Sequence, residues 1–107
     1  MLPKKKRVTK EVFQALMKEG KTLSTQLFLF YFKKNENPQY AFVAPKKNFK
    51  NASKRNKFRR VGYNILRTIP LEQGLGVFLF KKEAINANIK DLKENILYLL
   101  KKVGFID

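Results

Sequence analysis

Apolar positions along this chain follow two rhythms, and each predicts a kind of element. Recurrence every three or four residues marks the buried stripe of a helix; alternation, or a short unbroken run, marks a strand. Val12, Phe13, Leu16 and Met17 carry the first rhythm, between Thr9, suited to an N-cap, and Gly20, suited to a stop. They predict a helix over 10–19, with Glu11 well placed in its first turn and Val8 and Phe13 at the positions of a hydrophobic staple. Residues 27–32 form an unbroken apolar run, read as a strand buried on both faces. Alternation puts Leu27, Leu29 and Tyr31 on one face and Phe28, Phe30 and Phe32 on the other. A turn over 35–38 leads to a second strand over 40–44, antiparallel to the first, with Tyr40 and Phe42 opposite the smaller Ala41 and Val43. Residues 75–80 are a further strand, introduced by Gln73 and Gly74. Ile89, Leu92, Ile96, Leu99, Leu100 and Val103 form the stripe of a last helix that begins at Asn88 and stops at Gly104. The order of helix, strands, helix, strand and helix predicts an α+β sandwich: a single domain with one small sheet and three helices.

The middle helix of that order is the least ordinary stretch. Residues 46–67 hold nine of the chain's 24 Lys and Arg, and no acidic residue occurs between Glu36 and Glu72. At about 100° per residue, Phe58, Val61, Ile65 and Ile69 share a sector of roughly 80°. Arg55, Asn56, Arg59, Arg60, Tyr63 and Arg67 occupy the opposite arc. Asn51 or Ser53 caps the start, and Pro70 ends the helix. A solvated helix face ordinarily mixes both signs of charge; this one does not, which points to a polyanionic partner.

The residues of this stretch carry a family resemblance. Lys46-Lys47, Asn51-Ala52 and Arg55-Asn56-Lys57-Phe58-Arg59-Arg60 resemble the signature of the bacterial ribonuclease P protein component. Arg7, Phe13 and Glu19-Gly20-Lys21 agree with its first helix, and the family has the same order of elements throughout, so the resemblance spans nearly the whole chain. There are departures. Lys57 stands where the family has Arg, keeping the charge but losing the bidentate fork. One extra residue lies within 48–50, and Met17 replaces a usual aromatic.

The resemblance implies a mixed sheet in the order α-β-β-(β)-α-β-α, with one strand optional. It also implies a protein subunit that assists an RNA catalyst in trimming the 5′ leader from precursor tRNA, with the RNA using divalent metal such as Mg2+. The RNA-binding positions it implies are Lys46, Lys47, Lys50, Asn51, Arg55, Asn56, Lys57, Arg59, Arg60 and Arg67. Phosphate contacts of this kind give affinity and orientation rather than base readout. Asn56 has two readings, a contact to a base or 2′-hydroxyl and a structural role. Phe13, Met17 and Tyr31 match a second surface, between first helix and sheet, that takes the single-stranded leader; spacing alone favours plain core for all three. The implied partners are ribonuclease P RNA and precursor tRNA. The alternative is a non-enzymatic RNA-binding protein, such as a ribosomal protein of similar architecture.

Composition narrows the chemistry further. The net charge of +16, from 24 basic and eight acidic residues, fits a nucleic-acid or anionic-membrane partner. No apolar run approaches a membrane span, and the basic residues Lys4 to Arg7 lack the apolar segment of a signal peptide; the absence of Cys fits the reducing cytoplasm, which is the expected location. That basic segment reads as a flexible arm over 1–8, or as a nuclear import tag. With no Cys and no His, the chain lacks thiolate ligands, disulfides and the commonest general base. Glu83, Asp91 and Glu94 read as charge balance for neighbouring lysines rather than as a catalytic pair. No catalytic residue is therefore expected in the polypeptide, and no protein-bound cofactor is evident in its sequence; the sequence leaves metal sites on the protein open.

Overall fold

The computed structural model describes residues 8–107; the basic arm expected over 1–8 lies outside it except for Val8. Local chemistry sets the helix boundaries. The first helix, α1, spans Lys10–Glu19, and the Thr9 hydroxyl accepts from the Val12 N–H at 3.2 Å. Its end is closed by the Gly20 N–H donating to the Leu16 carbonyl at 2.7 Å. The second, α2, spans Ala52–Arg67. The third, α3, spans Ile89–Lys102, capped by the Asn88 carbonyl oxygen accepting from the Asp91 N–H at 2.8 Å. Gly104 follows it at φ 82°, a left-handed conformation that favours glycine.

Four strands make one sheet: β1 (Lys21–Ser24), β2 (Phe28–Lys33), β3 (Gln39–Val43) and β4 (Leu75–Phe80), in the order β1-β2-β4-β3. β2 pairs antiparallel with β1 and β4, while β3 pairs parallel with β4, so the sheet is mixed. β3 does run opposite to β2, but β4 lies between them. The chain must therefore leave β3, cross through α2 and return as β4 beside it. β1 is the optional strand. Its four residues, Lys-Thr-Leu-Ser, contain one half-buried apolar side chain, too little for periodicity to register. A 3-10 turn over Lys82–Asn86 joins β4 to α3 and buries Ala84.

The two sheet faces have different cover. Phe28, Phe30, Tyr40, Phe42, Phe78 and Phe80 lie under α2 and α3 and pack with Ile65, Leu66, Leu92, Ile96, Leu99 and Leu100. The rings interlock: Phe42 and Phe78 stack at 4.9 Å, Phe30 and Phe78 at 4.4 Å. Stacked and edge contacts of this sort add to the area term of burying each ring. Leu27 belongs to this main core rather than to Tyr31's face. It precedes β2, in a bend, so strand alternation does not extend through it. The opposite face has a small second core, in which Leu16 of α1 covers Leu75 and Val77. Val8, Phe13 and Tyr31 pack against it. Ile89, expected in the buried stripe of α3, is 62% exposed, because the first residue of that helix faces the gap toward α2 rather than the sheet.

Candidate nucleic-acid interface

Helix α2 is held by its cap, by its docking face and by the loop before it. The cap is Asn51, not Ser53: its side-chain oxygen accepts from the N–H groups of Ser53 at 2.8 Å and Lys54 at 3.3 Å. Asn51, expected to contact RNA, thus has its side-chain oxygen engaged at the helix start. The loop over 45–50 is anchored from below by Phe49, whose ring is buried against Phe58 and Phe80. The Phe49 and Asn48 N–H groups both donate to the Pro45 carbonyl, closing a turn that leaves Lys46 and Lys47 exposed. Lys50 is exposed beside them.

The docking face is rolled from the expected one. Gly62, Ile65 and Leu66 are the buried residues of α2, while Phe58 and Val61 are only half-buried. On the same wheel the buried centre is displaced by roughly 50° toward Arg55 and Leu66. Gly62 is the cause: a Cβ there would sit 2.7 Å from the Phe42 ring, so the missing side chain lets the helix settle on that ring. Two corrections follow. Arg55, expected on the exposed arc, is half-buried, and its Nη1 donates to the Phe49 carbonyl at 2.8 Å and the Lys50 carbonyl at 3.2 Å. Tyr63 is half-buried too, its ring edge-on to Phe42 at 5.2 Å and its hydroxyl accepting from the Phe42 N–H at 3.3 Å.

What remains on the open side is a polar hollow of about 380 Å³ lined by Ser53, Asn56, Arg59, Arg60 and Tyr63. Ser53, Asn56, Arg59 and Arg60 are exposed, and no carboxylate lines the hollow. Lys57 is exposed further round the helix. Arg67, exposed near the C-terminus, donates to the Asn64 side chain at 3.3 Å. Sequence reasoning does not single out Ser53 or Tyr63 as site residues; the signal for Tyr63 is an aromatic on an otherwise cationic arc. The first turn of α2 has no acid and carries Lys54 and Arg55, a pattern that opposes the helix dipole. Cations at the positive end of a helix are unfavourable in the free protein, and phosphates lying along this face would offset that repulsion.

The second expected surface lies across the sheet from α2. Phe13, Met17 and Tyr31 are all half-buried; Phe13 and Met17 are one turn apart on α1. Tyr31 pairs across strands with Val77, which pairs with Ala41, so a large ring stands in a row of smaller side chains. The next row on this face, Leu29, Leu79 and Val43, is also half-buried. An apolar floor therefore continues beyond α1.

Among the described residues no three acidic side chains come together as a metal-binding group. Among the same residues, no helix is long and apolar enough to cross a membrane. Burial pushes the Tyr40 hydroxyl well above the usual tyrosine range; the group donates to the Gln73 carbonyl at 2.7 Å.

Comparison with known proteins bears on the family and the fold. The family model described as Ribonuclease P matches residues 2–104. The fold resembles the RNase P protein of Staphylococcus aureus, with a TM-score of 0.82 at 18% identity over 95% of this chain and 98% of that one. It resembles equally a mutant of that protein with defective mRNA degradation activity, with a TM-score of 0.83 at 19% identity over 94% and 90%. The RNase P protein of Thermotoga maritima superposes with a TM-score of 0.75 at 29% identity over 84% of this chain and 89% of that one. Comparison with curated protein sequences finds no significant match.

Proposed function

This chain belongs to the ribonuclease P protein family, RNA-binding proteins of tRNA processing, and from that premise we propose how it divides the work with an RNA partner. The polypeptide holds ribonuclease P RNA through the cationic arc of α2 and the loop before it. It holds the single-stranded 5′ leader of precursor tRNA on the opposite sheet face, at Phe13, Met17 and Tyr31. Cleavage belongs to the RNA, which uses divalent metal such as Mg2+, and the complex works in the cytoplasm.

The observation that carries this reading is the acid-free hollow on α2, where Arg59 and Arg60 flank Asn56 and Tyr63. Guanidinium groups around an amide and a phenol suit an RNA backbone: the cations take phosphates, and the polar groups meet sugar or base edges. Asn56, exposed in that hollow, has the contact role in this reading. Lys46, Lys47, Lys50, Lys57 and Arg67 extend the field, and Asn51 and Arg55 position the helix start. The two surfaces lie on opposite sides of the sheet, so the chain engages two RNA segments at once without competition.

Tyr31→Ala tests the leader surface. A base stacked on Tyr31 contributes roughly 1–3 kcal/mol, so the variant weakens holoenzyme binding of precursor tRNA by that amount and leaves mature tRNA, which lacks the leader, nearly unchanged. Equal losses for both ligands would remove Tyr31 from the leader surface.

A further inference from the structure

A second hollow flanks α2 on its other side, against the start of α3. This groove has a volume of about 620 Å³ and is distinct from the polar hollow, with no residue in common. Phe58, Val61 and Leu92 contribute its apolar floor. Lys54, Lys57 and Lys90 stand at its rim, and no carboxylate lines it: Glu83, Asp91 and Glu94 all lie outside. Its lip is Ile89, one of two strongly exposed large apolar residues among those described. An exposed isoleucine over an apolar floor, ringed by one sign of charge, is poorly suited to water alone and well suited to an anion with an apolar body.

The position of the groove indicates which anion. Around α2, Ser53 and Arg60 of the polar hollow are followed by Lys57 of the groove after a ridge of roughly 40–60°. A polyanion lying along the acid-free face crosses that ridge and meets the groove next. We propose that the groove receives an unpaired nucleobase of the RNA bound along α2, its flanking phosphates on Lys54, Lys57 and Lys90. The inference rests on the reading of α2 as an RNA-binding helix. A paired base cannot enter, because its faces are stacked and its edge is engaged; a bulged base is already splayed and leaves the stack at little cost.

The test uses the full-length protein and two RNA hairpins of one sequence, one fully paired and one carrying a single bulged 2-aminopurine. The wild-type protein is expected to bind the bulged hairpin about 5-fold or more tighter, with a change in 2-aminopurine fluorescence, as stacking of one base requires. Ile89→Glu, at an exposed position, abolishes the preference and the fluorescence change. Ile89→Ser, which adds no charge, reduces both and alters affinity for the paired hairpin by less than about twofold. Equal affinity of the wild-type protein for the two hairpins would overturn the assignment of the groove while leaving the RNA-binding reading intact. Failure to bind either hairpin would overturn both. Tighter binding of a mixed Glu/Leu peptide than of the bulged hairpin, lost in Ile89→Glu, would overturn it in favour of an acidic protein segment.

Discussion

Arg55 and Arg59 lie one turn apart on α2, yet they face different tasks. Arg55 donates to two backbone carbonyls of the loop it follows, whereas Arg59 opens onto the polar hollow. Arg59→Ala or Arg60→Ala is expected to weaken RNA binding with thermal stability unchanged. Either variant also flattens the log–log salt dependence, by about 0.7–0.9 for each phosphate it no longer neutralises. Arg55→Ala is expected to lower stability by about 1–2 kcal/mol, since it leaves the Phe49 and Lys50 carbonyls without their charged donor. Urea unfolding and salt-dependent RNA titration of the three variants separate the two roles. A stability loss at Arg59 rather than Arg55 would mean the faces are reversed. Tyr40 gives a second residue-scale prediction. Its proton is held more tightly folded than unfolded, so its contribution is fully present below pH about 10, the usual tyrosine value, and is lost as pH rises above it. Tyr40→Phe should flatten that alkaline decline relative to wild type in pH-dependent unfolding. An unchanged decline would show that Tyr40 does not contribute to it.

At the scale of elements, the features legible in the sequence are those written locally. Thr9, Gly20, Asn51, Asn88 and Gly104 mark helix ends because a cap is chemistry between neighbours. The alternation of Phe28, Phe30 and Phe32 against Leu29 and Tyr31 likewise assigns the two faces of β2. The insertion of β4 between β2 and β3 is not legible, because periodicity identifies a strand's faces but not its neighbours. Nor is the roll of α2, since a helical wheel weighs side chains and Gly62 acts by having none. The same absence supplies a test. Gly62→Ala gains about 1 kcal/mol of helix propensity. It also places a methyl 2.7 Å from the Phe42 ring, which is itself wedged among Phe28, Tyr63, Phe78 and Phe80. Overpacking at such a site costs about 1–3 kcal/mol, so the net effect expected by thermal unfolding is destabilisation. A melting temperature equal to or above wild type would contradict the close approach.

For the whole molecule, the sheet acts as a partition between two surfaces. The cationic arc of α2 is legible because one sign of charge over 35 residues is a global property of the sequence. The polar hollow is only partly so: Tyr63 joins it through a hydrogen bond to Phe42, 21 residues away. Both surfaces have one purpose if the chain works as the protein partner of an RNA catalyst. Cleavage of precursor tRNA by ribonuclease P RNA at low magnesium, with and without the purified protein, measures that directly, alongside the protein freed of RNA. The protein is expected to enhance cleavage by the RNA, and the RNA-free protein to cleave nothing. No enhancement at low magnesium, or cleavage by the protein alone, would contradict this division of labour.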